Sequence, residues 1–312
     1  MWYSGRMIFR HEHAGGVWVD LEQPTEDDVR RVANEFSIGE RIVKEALSPT
    51  PSPLITRDAG IALLVLHFPV HGAEDGDMKN QEVDFIVGNN FIVTVRYEVV
   101  VPLHHLKKLL EAQEVIADRV PINTEVLLEI LFAHLYTSVR DRINHVANRL
   151  EVIERDMFAG RERATVRLIS SVSREFLHME SAIANHEGPL SRFLKLLEQG
   201  DFFGDSFTER AERIGSERSQ VAQLVKTHRA ITAELRETNI SMLEVRQNEI
   251  MKTLTTVNFI FLPLGLISWT FTMRTEGMPL IDSPNAFWIV LALMFAVAML
   301  MIVFFVRRRW LF

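Results

Sequence analysis

The spacing of apolar and polar residues divides the chain into two kinds of pattern. Up to about residue 118, short apolar runs alternate with helical ones. Val17-Trp18-Val19-Asp20-Leu21 predicts a strand, and Ile61 to Phe68 predicts a second, buried one. Val83 to Val87 and Phe91 to Arg96 predict a hairpin across Gly88-Asn89-Asn90. Pro24 and Thr25 precede an acidic first turn, Glu26-Asp27-Asp28, which predicts a helix to about Phe36, with another starting at Gly39. Ser48-Pro49-Thr50-Pro51-Ser52-Pro53 reads as a loop. Strands interleaved with helices predict an α/β domain over residues 1–118. From Leu103 the pattern turns helical. Residues 123–159 and 161–199 predict two long helices parted near Gly160, the second kinked or broken at Gly188-Pro189. With a glycine-bearing turn at 200–206, they make a helical region over 119–205.

From Phe207 a further helix meets no Pro or Gly except Gly215 before it becomes apolar. Ile214, Val221, Leu224, His228, Ile231, Leu235, Thr238, Met242 and Val245 keep coiled-coil spacing and predict a stalk over 206–252. A bundle helix ending near residue 250 is the alternative. No charge falls between Thr253 and Met273, nor between Ser283 and Val306. At a rise of about 1.5 Å per residue, each run can cross a hydrocarbon core of about 30 Å. The pattern predicts transmembrane helices at 253–273 and 283–306, an external loop at 274–282 and a basic tail at 307–312. So short a connection leaves both ends on one side. Arg307, Arg308 and Arg309 follow the second span, Arg246 and Lys252 precede the first, and the loop holds one base against two acids. That bias places both termini and the N-terminal domain in the cytoplasm, with the spans in the inner (plasma) membrane.

The first span is not uniformly apolar. Alternate steps of three and four from Asn248 give Met251, Thr255, Asn258, Leu262, Gly265, Trp269 and Thr272. The same steps from Ile250 give Leu254, Val257, Phe261, Leu264, Ser268 and Phe271, nearly all apolar. A helix with a 3.5-residue seam wraps around copies of itself. Lipid cannot hydrogen-bond amides and hydroxyls, so the mixed stripe predicts a pore-lining face. In the other reading, Asn258 and the threonines bond neighbouring helices.

Charge narrows the partners. Residues 1–258 hold 39 of the 41 acids and 30 of the 34 bases, a net charge of −9, which argues against nucleic acid. With no cysteine, disulfides and thiolate metal sites are excluded. His11-Glu12-His13 puts two imidazoles on one face of a strand and His104-His105 are adjacent, but neither pair has a third converging ligand, and both read as surface histidines. Glu74-Asp75-Asp77 lacks the twelve-residue calcium-loop pattern and reads as solvated loop. No phosphate-binding glycine loop and no Ser/His/Asp or paired acid/base set is present, so an enzyme is not expected.

The segments RQNEIMKTLTTVNFIFLPLGLISWTFTM and RRRWLF, with WVDLEQPTEDD and EVDFIVGNNFIVTVR, resemble the CorA family of divalent-cation transporters over essentially the whole chain. The resemblance implies an α+β membrane protein: a cytoplasmic α/β domain, a long stalk and two C-terminal spans, assembled as a funnel-shaped homopentamer. It implies the first span as pore lining, and a divalent cation, Mg2+ or Zn2+, as cargo and as a regulatory ion between subunits. It places Asn248, Met251 and Leu254 at the cytoplasmic-side amide and apolar constriction, with Leu262 at the apolar gate and Pro263 at the family's proline.

One departure concerns the family's Gly-Met-Asn signature at the outer end of this span. Here the aligned residues are Thr272-Met273-Arg274, and only the Met is kept. A guanidinium cannot accept hydrogen bonds from metal-bound water and is always charged. Either Arg274 points away and pairs with Glu276 or Asp282, or magnesium is not selected in the usual way. Gly265 stands where a Thr is common, and Asn258 lies near that depth and could substitute. The zinc-transporting branch also departs from the signature, which keeps zinc open. A non-conducting metal sensor or regulator is the reading from a different class.

Overall fold

The computed structural model describes residues 7–13, 15–71, 78–114, 123–273 and 285–307. Glu74, Asp75, Asp77, Arg274, Glu276, Asp282, Arg308 and Arg309 lie outside them. The chain divides into two compact units, Met1–Arg236 and Glu237–Phe312.

The first unit is built on a six-stranded sheet: β1 (Met7–His13), β2 (Gly16–Glu22), β3 (Leu54–Asp58), β4 (Ile61–His71), β5 (Met78–Val87) and β6 (Phe91–Arg96). The spatial order is β1-β2-β6-β5-β4-β3. Only β2 and β6 run parallel; every other pair is antiparallel. The expected strands and hairpin are present. Edge strand β1 contains the expected strand at His11–His13 and begins earlier, at Met7; edge strand β3 was not anticipated, and His11 is buried on β1 rather than at the surface.

Two helices, α1 (Glu26–Glu35) and α2 (Glu40–Glu45), cross over between β2 and β3. The Thr25 side chain caps α1 by accepting from the Asp28 N–H at 3.2 Å, while the Thr25 N–H donates to the Asp28 carboxylate at 3.1 Å. Val29, Val32, Ile42 and Val43 pack on Val19, Leu21, Leu63, Val65, Ile86, Val93 and Val95 of the sheet, forming one core.

Three helices cover the opposite face: α3 (Val101–Glu114), α4 (Thr124–Phe158) and α5 (Glu162–Leu197). Phe85 stacks on Phe132 at 4.8 Å between centroids, and Phe68 meets Tyr136 edge-on at 5.8 Å. Pro189 lies inside a continuous α5, so no break occurs there. The face carrying Ile183, His186, Leu190 and Phe193 is buried, and its packing outweighs the one backbone bond that proline removes. After the short 3-10 turn Gly204–Phe207, α6 runs unbroken from Thr208 to Thr272, past residue 250. Its buried seam includes Ile214, Val221, Val225, Thr232, Leu235 and Asn239, whereas Ile231 and Val245 are exposed. The phase therefore differs from the expected one at Leu224 and Ile231. Glu129 on α4 binds Arg210 and Arg213 of α6, each at 2.6 Å. Those two arginines hold its carboxyl below the usual range against the opposing effect of burial.

Beneath α3 the sheet carries charge with no exposure. Asp20 on β2 accepts from the Thr94 hydroxyl at 2.6 Å and the Arg96 guanidinium at 2.9 Å, and it pairs with Lys107 of α3. Trp18 donates to Thr94 at 3.0 Å, and Lys107 lies 5.2 Å from the Phe9 ring centroid. Asp20, Arg96 and Thr94 are fully buried, so each charge depends on its partner.

Candidate functional site

The second unit holds the end of α6 and α7 (Ala286–Arg307), both long and apolar enough to cross a membrane. On α6, Thr256 is buried, and Ile260, Pro263 and Ile267 are half-buried at helical spacing. Phe259 meets Phe305 of α7 at 6.2 Å between centroids, and Phe305 is itself buried. An apolar groove of about 530 Å³ runs along Leu264, Trp288, Ala292 and Phe295. These contacts define the α6 face turned to α7.

The mixed stripe lies on the other side. On an ideal helix of 3.6 residues per turn, Asn248, Met251, Leu254, Thr255, Asn258, Leu262, Gly265, Trp269 and Thr272 fall within an arc of about 120°, centred roughly opposite Thr256 and Pro263. Met251 is 52%, Leu254 53%, Leu262 65%, Trp269 67% and Met273 65% exposed within the chain. The stripe is therefore not sealed against α7.

Its polar groups are of two kinds. The Thr272 hydroxyl donates to the Ser268 carbonyl at 2.7 Å, as Thr270 does to Leu266 at 2.8 Å. A hydroxyl whose proton is committed to its own helix offers only lone pairs outward. Asn248 and Asn258 are exposed and, among the described residues, their carboxamides have no hydrogen-bond partner. An unpaired amide in hydrocarbon costs several kcal/mol, so Asn258 calls for water or another protein surface. Pro263 cannot donate to the Phe259 carbonyl, which loses its helical partner there. Gly265 has no Cβ, and the Trp269 indole lies over the gap, with Cζ2 3.9 Å and Cη2 4.0 Å from where a Cβ would stand. Of the signature residues, Thr272 and Met273 end the described helix.

Among the described residues, no three His, Asp or Glu side chains come together in a way that could hold a metal. Sequence reasoning passed over two buried polar clusters, the Asp20–Arg96–Lys107 group and a second one around Glu82 and Asp84. Their only signal was an acid at alternate positions of otherwise apolar strands.

A large sheet-and-helix unit followed by two apolar helices, one with a polar stripe turned from its neighbour, defines a two-span membrane protein. The chain belongs to the CorA family: the family model described as CorA-like Mg2+ transporter protein matches residues 13–309. It is 21% identical over 300 residues to the cobalt/magnesium transport protein CorA of Methanocaldococcus jannaschii, covering 94% of this chain and 91% of that one. The complete structure of the CorA magnesium transporter from that organism superposes with a TM-score of 0.80 at 20% identity, covering 96% of this chain and 93% of that one. The full-length CmaX protein follows, with a TM-score of 0.70 at 16% identity over 95% of this chain and 89% of that one. At these identities the structural matches establish the fold.

Proposed function

We propose that this protein conducts divalent cations, magnesium or zinc, across the inner membrane through a homopentameric pore lined by the α6 stripe. The observation that carries the reading is the placement of Asn248, Asn258 and Thr272 on the α6 face away from α7, with acceptors and unpaired amides turned outward. Family membership supports divalent-cation transport, and the Methanocaldococcus jannaschii relative named above is called a cobalt/magnesium transport protein and, in its solved structure, a magnesium transporter. Ions pass with their water attached. Amide and hydroxyl oxygens accept from that water, while Met251, Leu254 and Leu262 form apolar constrictions that close by dewetting. The large N-terminal domain and both termini lie in the cytoplasm, and the partners are lipid and further copies of this chain.

Arg274 stands at the mouth in this scheme. Two unit charges 4 Å apart repel by about 1 kcal/mol in bulk water, so several arginines near the axis would slow a dication unless Glu276 or Asp282 pairs with them. Purified protein in liposomes loaded with metal-sensitive dyes tests the proposal. Entry of magnesium or zinc that depends on the protein is expected; no flux of any dication would leave the non-conducting regulator as the better account.

A further inference from the structure

The sheet face under α1 and α2 is apolar except at one end. Glu82 and Asp84 project there from the same side of β5, two residues apart on one strand. Asp84 sits between Val65 and Val95 on the adjoining strands and is fully buried. Its Oδ1 has no hydrogen-bond partner, and its Oδ2 lies 3.5 Å from the Tyr97 hydroxyl, which donates to it. Glu82 accepts the Thr50 N–H at 2.8 and 3.0 Å and the Thr50 O–H at 3.2 Å, and stands 3.3 Å from His67 Nε2. That nitrogen is also 2.9 Å from the Thr50 carbonyl. Glu82 and His67 thus grip Thr50 in the middle of the proline-rich segment 48–53 that links α2 to β3.

We propose that Asp84 carries a proton in the folded chain, and that this proton is the condition for the grip on Thr50. While Asp84 is neutral, Glu82 keeps its charge for Thr50 and His67. When Asp84 gives up the proton, two carboxylates adjoin where no water reaches, Glu82 turns out, and segment 48–53 is released. The step is reversible, and the proton passes to solvent.

The groups acting on Asp84 are Glu82 on its own strand, Tyr97 beyond β6 and Glu45 on α2; none is a lysine or arginine. Burial, then the charge on Glu82, holds the Asp84 carboxyl well above the usual carboxylate range. A raised acid keeps in the folded chain a proton that the unfolded chain surrenders. Its contribution is therefore complete below the ordinary carboxylate pKa and declines as pH rises towards the raised value. His67 is raised chiefly by its hydrogen bond to Glu82, so its contribution too is lost as pH rises through the raised value. Both groups loosen the grip in the alkaline direction. The site is also tied through the sheet: the His67 carbonyl accepts from His186 Nε2 at 2.9 Å, and His186 Nδ1 accepts from the Tyr136 hydroxyl at 3.2 Å. Burial lowers His186 to about 4, which keeps it neutral in that link.

Hydrogen exchange of the full-length protein in detergent tests this, with the protection of residues 47–54 followed from mildly acid to alkaline pH after correction for intrinsic rates. Protection is expected to fall at least about tenfold in the wild type, a single pKa unit's worth. Asp84→Asn should lose only the smaller, His67-dependent part of the protection, and Glu82→Gln should be unprotected throughout. A flat wild-type profile, or an Asp84→Asn profile that falls in step with the wild type, overturns the proposal. Infrared difference spectra of the wild type give a reading without a variant. A protonated-carboxyl band should vanish on alkalinisation together with the loss of protection, and the absence of that band overturns the proton on Asp84.

Discussion

Asn258→Leu separates a wet stripe from a lipid-facing one, because the two arrangements demand opposite outcomes. The carboxamide is exposed and without a partner among the described residues. Were it set in hydrocarbon, each chain would carry an unpaired amide at a cost of about 1–3 kcal/mol on mutational scales. Leucine would remove that cost, raise thermal stability and leave transport alone. Were it beside water in a pore, the substitution would delete a partner for ion-bound water, worth about 0.5–1.5 kcal/mol per bond. It would also join Met251, Leu254 and Leu262 into a longer apolar stretch. An increase of about 1.4 kcal/mol in the barrier already lowers flux tenfold. We expect at least that loss, with the melting temperature unchanged or slightly higher. Liposome flux and thermal unfolding should be measured on the same preparations. Wild-type flux together with a clear stability gain would refute the pore-facing assignment.

Other perturbations bear on neighbouring points. Arg274→Asn should raise magnesium uptake several-fold in the liposome assay if the guanidinium faces the mouth; unchanged uptake would place it elsewhere. Leu254→Ala should increase leak through the closed state, measured as dye response to added metal under conditions in which the wild type stays closed. Asp20→Ala strands Arg96 and Lys107 with Glu22 as their remaining acid and should destabilise the first unit by about 3–5 kcal/mol, read from denaturant unfolding.

Much of the fold was legible because burial on a face leaves a regular imprint. β2, β4 and β6 are inner strands whose residues read as near-continuous apolar runs. β3 escaped notice and β1 was read only at His11–His13; both are edges, where one side lacks a neighbour and Arg10, Glu12 and Arg57 break the pattern. The α6 seam was right at Ile214, Val221 and Leu235 but misplaced at Leu224 and Ile231, because burial there falls on Val225 and on the polar Thr232. Pro189 looked like a terminator only because the sequence does not display the packing that carries α5 through it. At the stripe, helical spacing alone grouped the polar positions, and the contacts of α7 supply the missing fact of which way they do not point. The Glu82–Asp84 pair stayed hidden because alternation along a strand records the side on which a residue sits. It does not record what waits across the gap.

The committed hydroxyls have a chemical corollary. No carboxylate stands along α6 between Glu249 and Met273, so no anionic oxygen on that stretch competes for the water held by a magnesium ion. Preference among cations of equal charge would have to be exercised on the outline of the whole aquo complex. Such a lining trades tight capture for short residence, and its throughput would be set by how quickly each complex lets go.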